Sequence, residues 1–333
     1  MNIIVPMAGM GKRLRPHTLT TPKPLVKVAG KPIVQHLVED IANLISEPLE
    51  QIVFVTGRFG SDAENHLLEV AKSLGARGQI AYQDEAKGTA HAIWCAKEAL
   101  RGKTIVAFAD TLFKADFKID EDKDGVLWVK QIDDPSSFGV VKLNDSGIII
   151  DYIEKPKNFV SDLAMIGIYY FKNGEDLAEE IKYLIDNKVV KGGEYQLPDA
   201  LKRLTDKGHS FVPGKVDAWM DCGNAKVTID TNEKVLRFKY PESQLSESAA
   251  LTNSLVIDPC FIGNNVKLEN SVVGPYVSIG NDSVVADSRI ERSIVQENTT
   301  LRNIVAKNSM IGSRVSVEKK AECLNLGDYN TLS

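Results

Sequence analysis

The sequence lacks long hydrophobic runs: no stretch of roughly 18 or more apolar residues occurs, which is the length a helix needs to cross a bilayer. The first apolar strand begins at Asn2, and this leaves no room for a signal peptide before it. We therefore expect a cytoplasmic protein with no membrane partner.

Cysteine is scarce, with four residues in the chain, at Cys95, Cys222, Cys260 and Cys323. They are far apart and show no C-x-x-C spacing, so we expect reduced thiols rather than a disulfide framework or a zinc site. The five histidines also lack metal-ligand spacing, and all of them precede residue 210.

Positive charge is not in excess, because 40 Lys and Arg residues face 45 Asp and Glu residues, a net charge of −5. Nucleic acids require a basic face, so this balance argues against a nucleic-acid partner. With 333 residues, 43% of them apolar, the chain has enough core material for about two globular domains.

The first part of the chain alternates apolar strands with amphipathic helices. Beyond the first strand, the patterns predict strands at 51–57, 79–83 and 104–110 and helices at 31–44, 61–74 and 89–100. Such alternation favours a parallel sheet covered on both faces. From Gly125 onward short polar turns separate the strands, which indicates a mixed extension of that sheet.

A different period begins after a polar segment at 241–248. Aliphatic residues recur every five or six positions, and an Ile-Gly pair repeats at 262, 279 and 311. This pattern predicts a parallel β-helix with coils of roughly 18 residues and Asn-rich corners. We therefore predict two domains, 1–241 and 249–333. The aliphatic positions are Ile262, Leu268, Val273, Ile279, Val285, Ile290, Leu301, Ile311 and Val317.

The loop that follows the first strand is rich in glycine, proline and positive charge. Gly9 and Gly11 permit close approach of a ligand to the backbone. Four cations, Lys12, Arg13, Arg15 and Lys23, follow within a short distance. A basic loop at the carboxyl end of a parallel strand is typical of a phosphate site.

Two common phosphate loops do not match this segment. In the P-loop pattern a Ser or Thr follows the lysine, but Arg13 follows Lys12. In the dinucleotide fingerprint a third glycine belongs where Leu14 stands.

The complete string from Gly9 to Leu25, G-x-G-x-R-L-x-P-x-T-x-x-x-P-K-P-L, resembles the signature of the sugar-1-phosphate nucleotidyltransferases. The resemblance implies a Rossmann-like nucleotidyltransferase domain with a mixed, mainly parallel sheet, an α/β fold. It also implies a nucleoside triphosphate and a sugar 1-phosphate as substrates and Mg²⁺ as cofactor. Lys12 departs from the Thr or Ser that the family usually has there.

Nucleotidyl transfer requires cations around the phosphates and carboxylates that hold a metal. The resemblance assigns Arg13 and Lys23 to the phosphates. Asp110 and Asp221 each end an apolar strand, and we predict that both lie at the carboxyl edge of the sheet and bind the metal.

The remaining candidate residues concern the base and the sugar. Residues 83–97 resemble bacterial glucose-1-phosphate uridylyltransferases, whereas the first loop resembles the thymidylyltransferases, and Thr111 departs from the Asn common in the latter group. We expect the Gln83 amide to pair with a carbonyl and an N–H of a pyrimidine together. The predicted nucleotide-binding residues are Ala8, Gly9, Gly11, Lys12, Gln83, Gly88 and Thr89. The predicted sugar-binding residues are Gly139, Glu154 and Lys155, of which Lys155 also meets the reacting phosphate.

The C-terminal repeat resembles the left-handed parallel β-helix of hexapeptide-repeat proteins. Because it contains no histidine and buries its own coils, we expect it to serve homo-oligomerisation or packing. One alternative is a bifunctional enzyme whose tail transfers acyl groups to amino-sugar phosphates; the missing histidine disfavours it. A second is a non-catalytic regulator that binds nucleotide sugars, which need not retain both metal carboxylates.

Overall fold

A computed structural model describes residues 1–9, 11–115, 119, 122–320 and 329. Its contacts divide the chain into two compact units. Unit 1 comprises Met1–Val26 and Lys31–Asn224; unit 2 comprises Lys27–Gly30 and the chain from Ala225 onward. The helix at Ala225–Lys239, which the predicted boundary assigns to the first domain, is thus grouped with the second unit. Cys323 lies outside the described residues.

Unit 1 is built from strands and helices that alternate in its first half. Its strands of four or more residues are β1 (Asn2–Pro6), β2 (Gln51–Thr56), β3 (Arg77–Tyr82), β4 (Thr104–Ala107), β5 (Thr111–Lys114), β6 (Gly125–Gln131), β7 (Gly139–Leu143), β8 (Ile149–Glu154), β9 (Leu163–Phe171), β10 (Phe211–Lys215) and β11 (Ala218–Asp221). Its α-helices are α1 (Ile33–Leu44), α2 (Ser61–Ser73), α3 (Thr89–Trp94), α4 (Gly174–Asp186) and α5 (Leu197–Asp206).

The main sheet has nine strands and contains the order β8-β7-β9-β4-β1-β2-β3, with β6 between β9 and β10. The strands β4, β1, β2 and β3 run parallel to one another, while β9 runs antiparallel to its neighbours β4, β6 and β7. Ile3, Ile4 and Val5 of the central strand β1 are completely buried. A parallel strand covered on both faces needs such a continuous apolar run. The predicted mixed, mainly parallel α/β sheet is confirmed.

One strand lies elsewhere than the sequence suggested. The strand β11, which ends at Asp221, belongs to a separate two-stranded sheet and pairs antiparallel with β5. The prediction that Asp221 lies at the carboxyl edge of the main sheet was therefore wrong. The apolar pattern identified the strand, but a pattern contains no information about the partner of a short strand.

Unit 2 contains the predicted left-handed parallel β-helix, formed by three stacks of short parallel strands. The first stack contains Gln244–Leu245, Cys260–Ile262, Val277–Ile279, Ile294–Val295 and Met310–Ile311. The second contains Ala250–Thr252, Lys267–Glu269, Val284–Ala286, Thr300–Arg302 and Ser316–Glu318. The third contains Leu255–Val256, Val272–Val273, Arg289–Glu291 and Val305–Lys307.

The coils are shorter than expected. Cys260 pairs with Val277, a step of 17 residues, and Ser278 pairs with Ile294, a step of 16 residues. The expected length of about 18 residues assumed three full hexapeptides. The corners explain the difference, because single residues with positive φ turn the chain there, among them Asn253, Asn270, Asp287 and Asn303. Asn and Asp tolerate this left-handed conformation better than most residues.

Side chains in one column of corners also bond from coil to coil. The Asn253 amide donates to Asn270 Oδ1 at 2.9 Å, and the Asn270 amide donates to Asp287 Oδ1 at 3.1 Å. Aliphatic residues fill the interior, and seven of the nine predicted positions are at most 1% exposed; Ile311 and Val317 are partly buried. Unit 2 also contains the helix α6 (Ala225–Lys239). Its buried Asn232 accepts from the Ser278 hydroxyl at 2.7 Å.

Within the described part of the chain, no helix has both the length and the apolar character required to span a membrane.

The β-helix interior generates a stability prediction. Leu268 is completely buried, while its register partner in the preceding coil, Leu251, is 40% exposed. Leu268→Ala should cost about 2–5 kcal/mol because it removes contacts and leaves a cavity. Leu251→Ala is the matched control and should cost less than about 1 kcal/mol. Hydrogen exchange of residues 260–279, followed as a function of urea concentration, measures both losses of stability. Equal losses in the two variants would contradict the interior position of Leu268.

Candidate active site

The basic loop from Gly9 to Leu25 contains two glycines with different surroundings. A Cβ at Gly9 would meet no atom within 4 Å, so the backbone there is open to a ligand. Gly11 has φ +57°, and a Cβ there would come within 2.8 Å of Lys23 Cβ. Thr18 also donates to the Gly11 carbonyl at 2.8 Å. Gly11 is thus required for the loop to close over Lys23, whereas Gly9 leaves space for phosphate.

Lys23 is largely buried and is held by an acid. Its Nζ lies 3.1 Å from Asp110 Oδ2, and only 9% of its side chain is exposed, against 48% for Asp110. Asp110 follows β4, the strand adjacent to β1, which explains how residues 87 positions apart meet at one sheet edge. A buried ammonium needs such a partner.

Asp221 lies beside the same pair. The Cys222 N–H donates to the Asp110 carbonyl at 3.1 Å, and Asp221 faces Thr111 across the β5–β11 ladder. Burial raises the pKa of Asp221, and the negative charge of Asp110 raises it further, although Lys23 and Arg13 act in the opposite direction. Five residues were predicted to act on the metal or the reacting phosphates. The structure brings four of them together, namely Arg13, Lys23, Asp110 and Asp221; the fifth is Lys155.

These two carboxylates are the candidate metal ligands. Among the residues that the structure describes, no group of three or more acidic, histidine or cysteine side chains could hold a metal ion. The pair is nevertheless a suitable donor set for Mg²⁺, which prefers one or two carboxylates completed by phosphate oxygens and water. The raised pKa of Asp221 fits this assignment, because a cation would relieve the repulsion from Asp110.

The predicted base-binding residues form one wall. The amide nitrogen of Gln83 donates to the Gly88 carbonyl at 3.1 Å and lies 3.2 Å from Nδ1 of His91. Because the amide nitrogen is engaged within the protein, the structure favours contact with a base through the oxygen alone over the paired contact expected from the sequence. What Gln83 presents to a ligand is its oxygen.

Gly88 has a structural reason to be glycine. Its φ is +105°, and a Cβ would come within 2.4 Å of the Tyr195 carbonyl oxygen. That carbonyl accepts from the Ala90 N–H at 3.0 Å, and the Thr89 hydroxyl accepts from the Leu197 N–H at 2.9 Å. The segment around Tyr195 therefore packs on the base wall, and any side chain at Gly88 would collide with the backbone of that segment.

The predicted sugar-binding residues lie together on the hairpin of β7 and β8. Gly139 pairs with Glu154, and a Cβ on Gly139 would come within 2.8 Å of Glu154 Oε2. Lys155 has φ +45°, donates its N–H to the Phe138 carbonyl at 3.1 Å and places its Nζ 3.6 Å from Glu154 Oε1. With 65% of its side chain exposed, Lys155 is available to an anionic ligand.

The buried Tyr169 interacts electrostatically with Glu154 of this hairpin and with Asp110. Burial raises the pKa of Tyr169, and the negative charges of Glu154 and Asp110 raise it further. The Tyr169 ring also packs edge-on against Phe108, with 6.3 Å between ring centroids. Glu154 and Asp110 thus both lie within electrostatic range of this one hydroxyl.

A pocket of about 420 Å³ joins most of these groups. Ten predicted residues line it: Ala8, Gly9, Gly11, Lys12, Arg13, Lys23, Gln83, Gly88, Thr89 and Asp110. Sequence reasoning missed Phe108, Glu194 and Gly223, which also line it. Glu194 reaches the pocket because Tyr195 packs against Gly88 on the base wall.

Proteins of similar sequence match nearly the whole chain. The chain is 28% identical to a glucose-1-phosphate thymidylyltransferase of Streptomyces griseus, over 99% of this chain and 98% of that protein. It is 26% identical to the bifunctional protein GlmU of Methanococcus vannielii, over 94% of this chain and 78% of that protein.

The fold has solved relatives as well. The nucleoside-diphosphate-sugar pyrophosphorylase of Vibrio cholerae superposes with a TM-score of 0.60 at 24% identity, covering 69% of this chain and 99% of that one. Residues 2–237 match the model of one family, whose description is "Nucleotidyl transferase". With more than two thirds of its length matched and with the phosphate loop, Asp110 and the base wall in one pocket, the chain belongs to the nucleotidyl transferase family.

Proposed function

We propose that the protein transfers a nucleotidyl group from a pyrimidine nucleoside triphosphate, UTP or dTTP, to glucose 1-phosphate, giving a nucleoside-diphosphate glucose and pyrophosphate. The observation that carries the proposal is the contact of Lys23 with Asp110, beside Asp221 and Arg13, in a pocket open to solvent. Cations and a metal-binding carboxylate pair are what the reaction needs at one place.

The chemistry needs no activated side-chain nucleophile. A phosphate monoester has its second pKa near about 6, so the sugar phosphate is largely ionised at neutral pH. Its oxygen forms a bond to the α-phosphorus, and the bond from that phosphorus to the bridging oxygen breaks, so that pyrophosphate leaves with the electron pair. Arg13, Lys12 and Lys23 bind the triphosphate and neutralise the charge that develops, while Lys155 orients the sugar phosphate.

Mg²⁺, when bound by Asp110 and Asp221, would supply further charge stabilisation on the phosphate oxygens. Residues of the site also have roles that do not depend on the metal. Asp110 holds the Lys23 ammonium in place, at 3.1 Å. Glu154 is assigned to the hydroxyl groups of the sugar, and Gly139 lets backbone amides face the sugar.

The choice of base and sugar draws on two observations. Gln83 presents an acceptor, and the N3–H of uracil or thymine is a matching donor. The relatives include a glucose-1-phosphate thymidylyltransferase, which favours glucose, and a bifunctional GlmU protein, which makes an amino-sugar 1-phosphate the second candidate. We further expect a cytoplasmic homo-oligomer.

Pyrophosphate release across a grid of substrates tests the proposal. UTP, dTTP, CTP, ATP and GTP should each be combined with glucose, galactose, glucosamine and N-acetylglucosamine 1-phosphates. We expect the highest kcat/KM with a uracil or thymine nucleotide and glucose 1-phosphate. If no combination in the grid releases pyrophosphate, a binding function would remain instead.

The carboxylate pair generates the next prediction. Asp110→Asn and Asp221→Asn should each lower kcat by at least about 10²–10³, because Asn lacks the charge that would hold Mg²⁺. The double variant should be little worse than either single one, since both residues act through one ion. The exposed Asp145 provides a matched control, and Asp145→Asn should leave kcat unchanged. Additive losses, or near-normal turnover at saturating Mg²⁺, would show that these two residues share no metal.

The base wall generates another prediction. Gln83→Ala should weaken the preference for pyrimidine over purine triphosphates more than it lowers the best rate, because the base lies away from the reacting phosphorus. The ratios of kcat/KM for UTP, dTTP, ATP and GTP measure this preference. Gln79→Ala, at an exposed position of strand β3, which ends just before Gln83, is the control and should not change them. Unchanged ratios in Gln83→Ala would remove Gln83 from base recognition.

A further inference from the structure

The side-chain amide of Gln83 has only one possible orientation in this structure. Its nitrogen is 3.1 Å from the Gly88 carbonyl oxygen, which can accept a hydrogen bond but cannot donate one. The atom at that position must therefore be the nitrogen. The same carbonyl accepts the first backbone hydrogen bond of helix α3, from the Ala92 N–H at 3.0 Å, and this holds it in place.

The second amide hydrogen has its own partner. Nδ1 of His91 lies 3.2 Å from the same nitrogen, and His91 occupies the first turn of α3. An NH₂ group has two hydrogens, so one reaches Gly88 and the other reaches His91. This arrangement requires His91 Nδ1 to be the acceptor, which places the single ring proton on Nε2.

The surroundings keep the His91 ring neutral. Burial lowers the pKa of His91, the ammonium of Lys87 lowers it further, and the carboxylate of Glu85 opposes this with a smaller effect. Lys87 and Glu85 form an ion pair with each other in the loop that precedes α3. A neutral ring at pH 7 is the state that accepts from Gln83.

We propose that His91 is a positioning residue for base selection: with Gly88 it binds both amide hydrogens of Gln83, so that the pocket presents only the Gln83 oxygen to the base. The inference rests on the proposed function for the nature of the ligand, but not for the contact itself. No sequence feature identified His91 in this role, since its partner Gln83 lies across a loop in the fold.

The consequence is selection by hydrogen-bond polarity. Uracil and thymine carry a donor at N3, which an amide oxygen can accept. Cytosine carries an acceptor at N3, so two acceptors would face each other and one would remain unpaired. Without His91, the amide is held only by Gly88 and can rotate to offer its NH₂ to cytosine.

Two substitutions separate this role from a merely structural one. His91→Leu removes the acceptor. His91→Asn restores one, because Asn Oδ1 stands at nearly the same distance along the side chain as His Nδ1. We expect His91→Leu to lower the ratio of kcat/KM for UTP over CTP by roughly tenfold, mainly through a higher KM for UTP, with kcat little changed. His91→Asn should recover most of that ratio.

A second measurement uses the free protein and needs no turnover. Proton–nitrogen NMR spectra of labelled protein contain the Gln83 side-chain NH₂ pair, which Gln83→Glu removes and so assigns. We expect two shifted, slowly exchanging protons in the wild type, loss of one of them in His91→Leu, and its return in His91→Asn. The same spectra report whether each variant is folded.

The outcomes are distinct. The role of His91 would be overturned if the Gln83 signals of the wild type and His91→Leu coincided. It would also be overturned if a folded His91→Leu kept the kcat/KM ratio of UTP over CTP unchanged. Failure of the wild type to transfer any nucleotidyl group would contradict the proposed function, while the spectra would still decide the contact between Gln83 and His91.

Discussion

The contact between Lys23 and Asp110 is the interaction on which the active site depends. A buried ammonium without a counter-charge would be costly, and two neighbouring carboxylates without a cation would repel each other. Lys23 answers both requirements, since it pairs with Asp110 and also lowers the pKa of Asp221. Gly11 makes this geometry possible, because any side chain there would collide with Lys23. The phosphate loop and the carboxylates are therefore one electrostatic unit.

The parts that could be predicted from sequence are those determined by local patterns. Continuous apolar runs identified the parallel strands, and the order of strands and helices indicated an α/β sheet. The string from Gly9 to Leu25 identified the phosphate loop as a whole. Asp110 was predicted to end a strand of the main sheet; the structure pairs that strand, β4, with β1 as expected, but ends it at Ala107 and places Asp110 three residues later.

The parts that could not be predicted depend on contacts between distant segments. The strand that ends at Asp221 was recognised, but its partner β5 was not, because short antiparallel pairs leave no periodic trace. The orientation of Gln83 depends on a carbonyl at the start of α3 and on a ring nitrogen within it. Glu194 reaches the pocket because Tyr195 fits against Gly88, a contact between residues more than a hundred positions apart.

The coil of the β-helix has a consequence for how this chain can change in length. Each coil of 17 or 16 residues adds one rung, and neighbouring rungs lie about 4.8 Å apart in the hydrogen-bonding direction. Duplication of one whole coil would leave every existing strand pair and every inward-facing aliphatic residue in register. A single inserted residue within a strand would instead turn the following side chains to the opposite face. Length can thus vary in whole rungs, or by one residue at a corner, as the two observed coil lengths demonstrate.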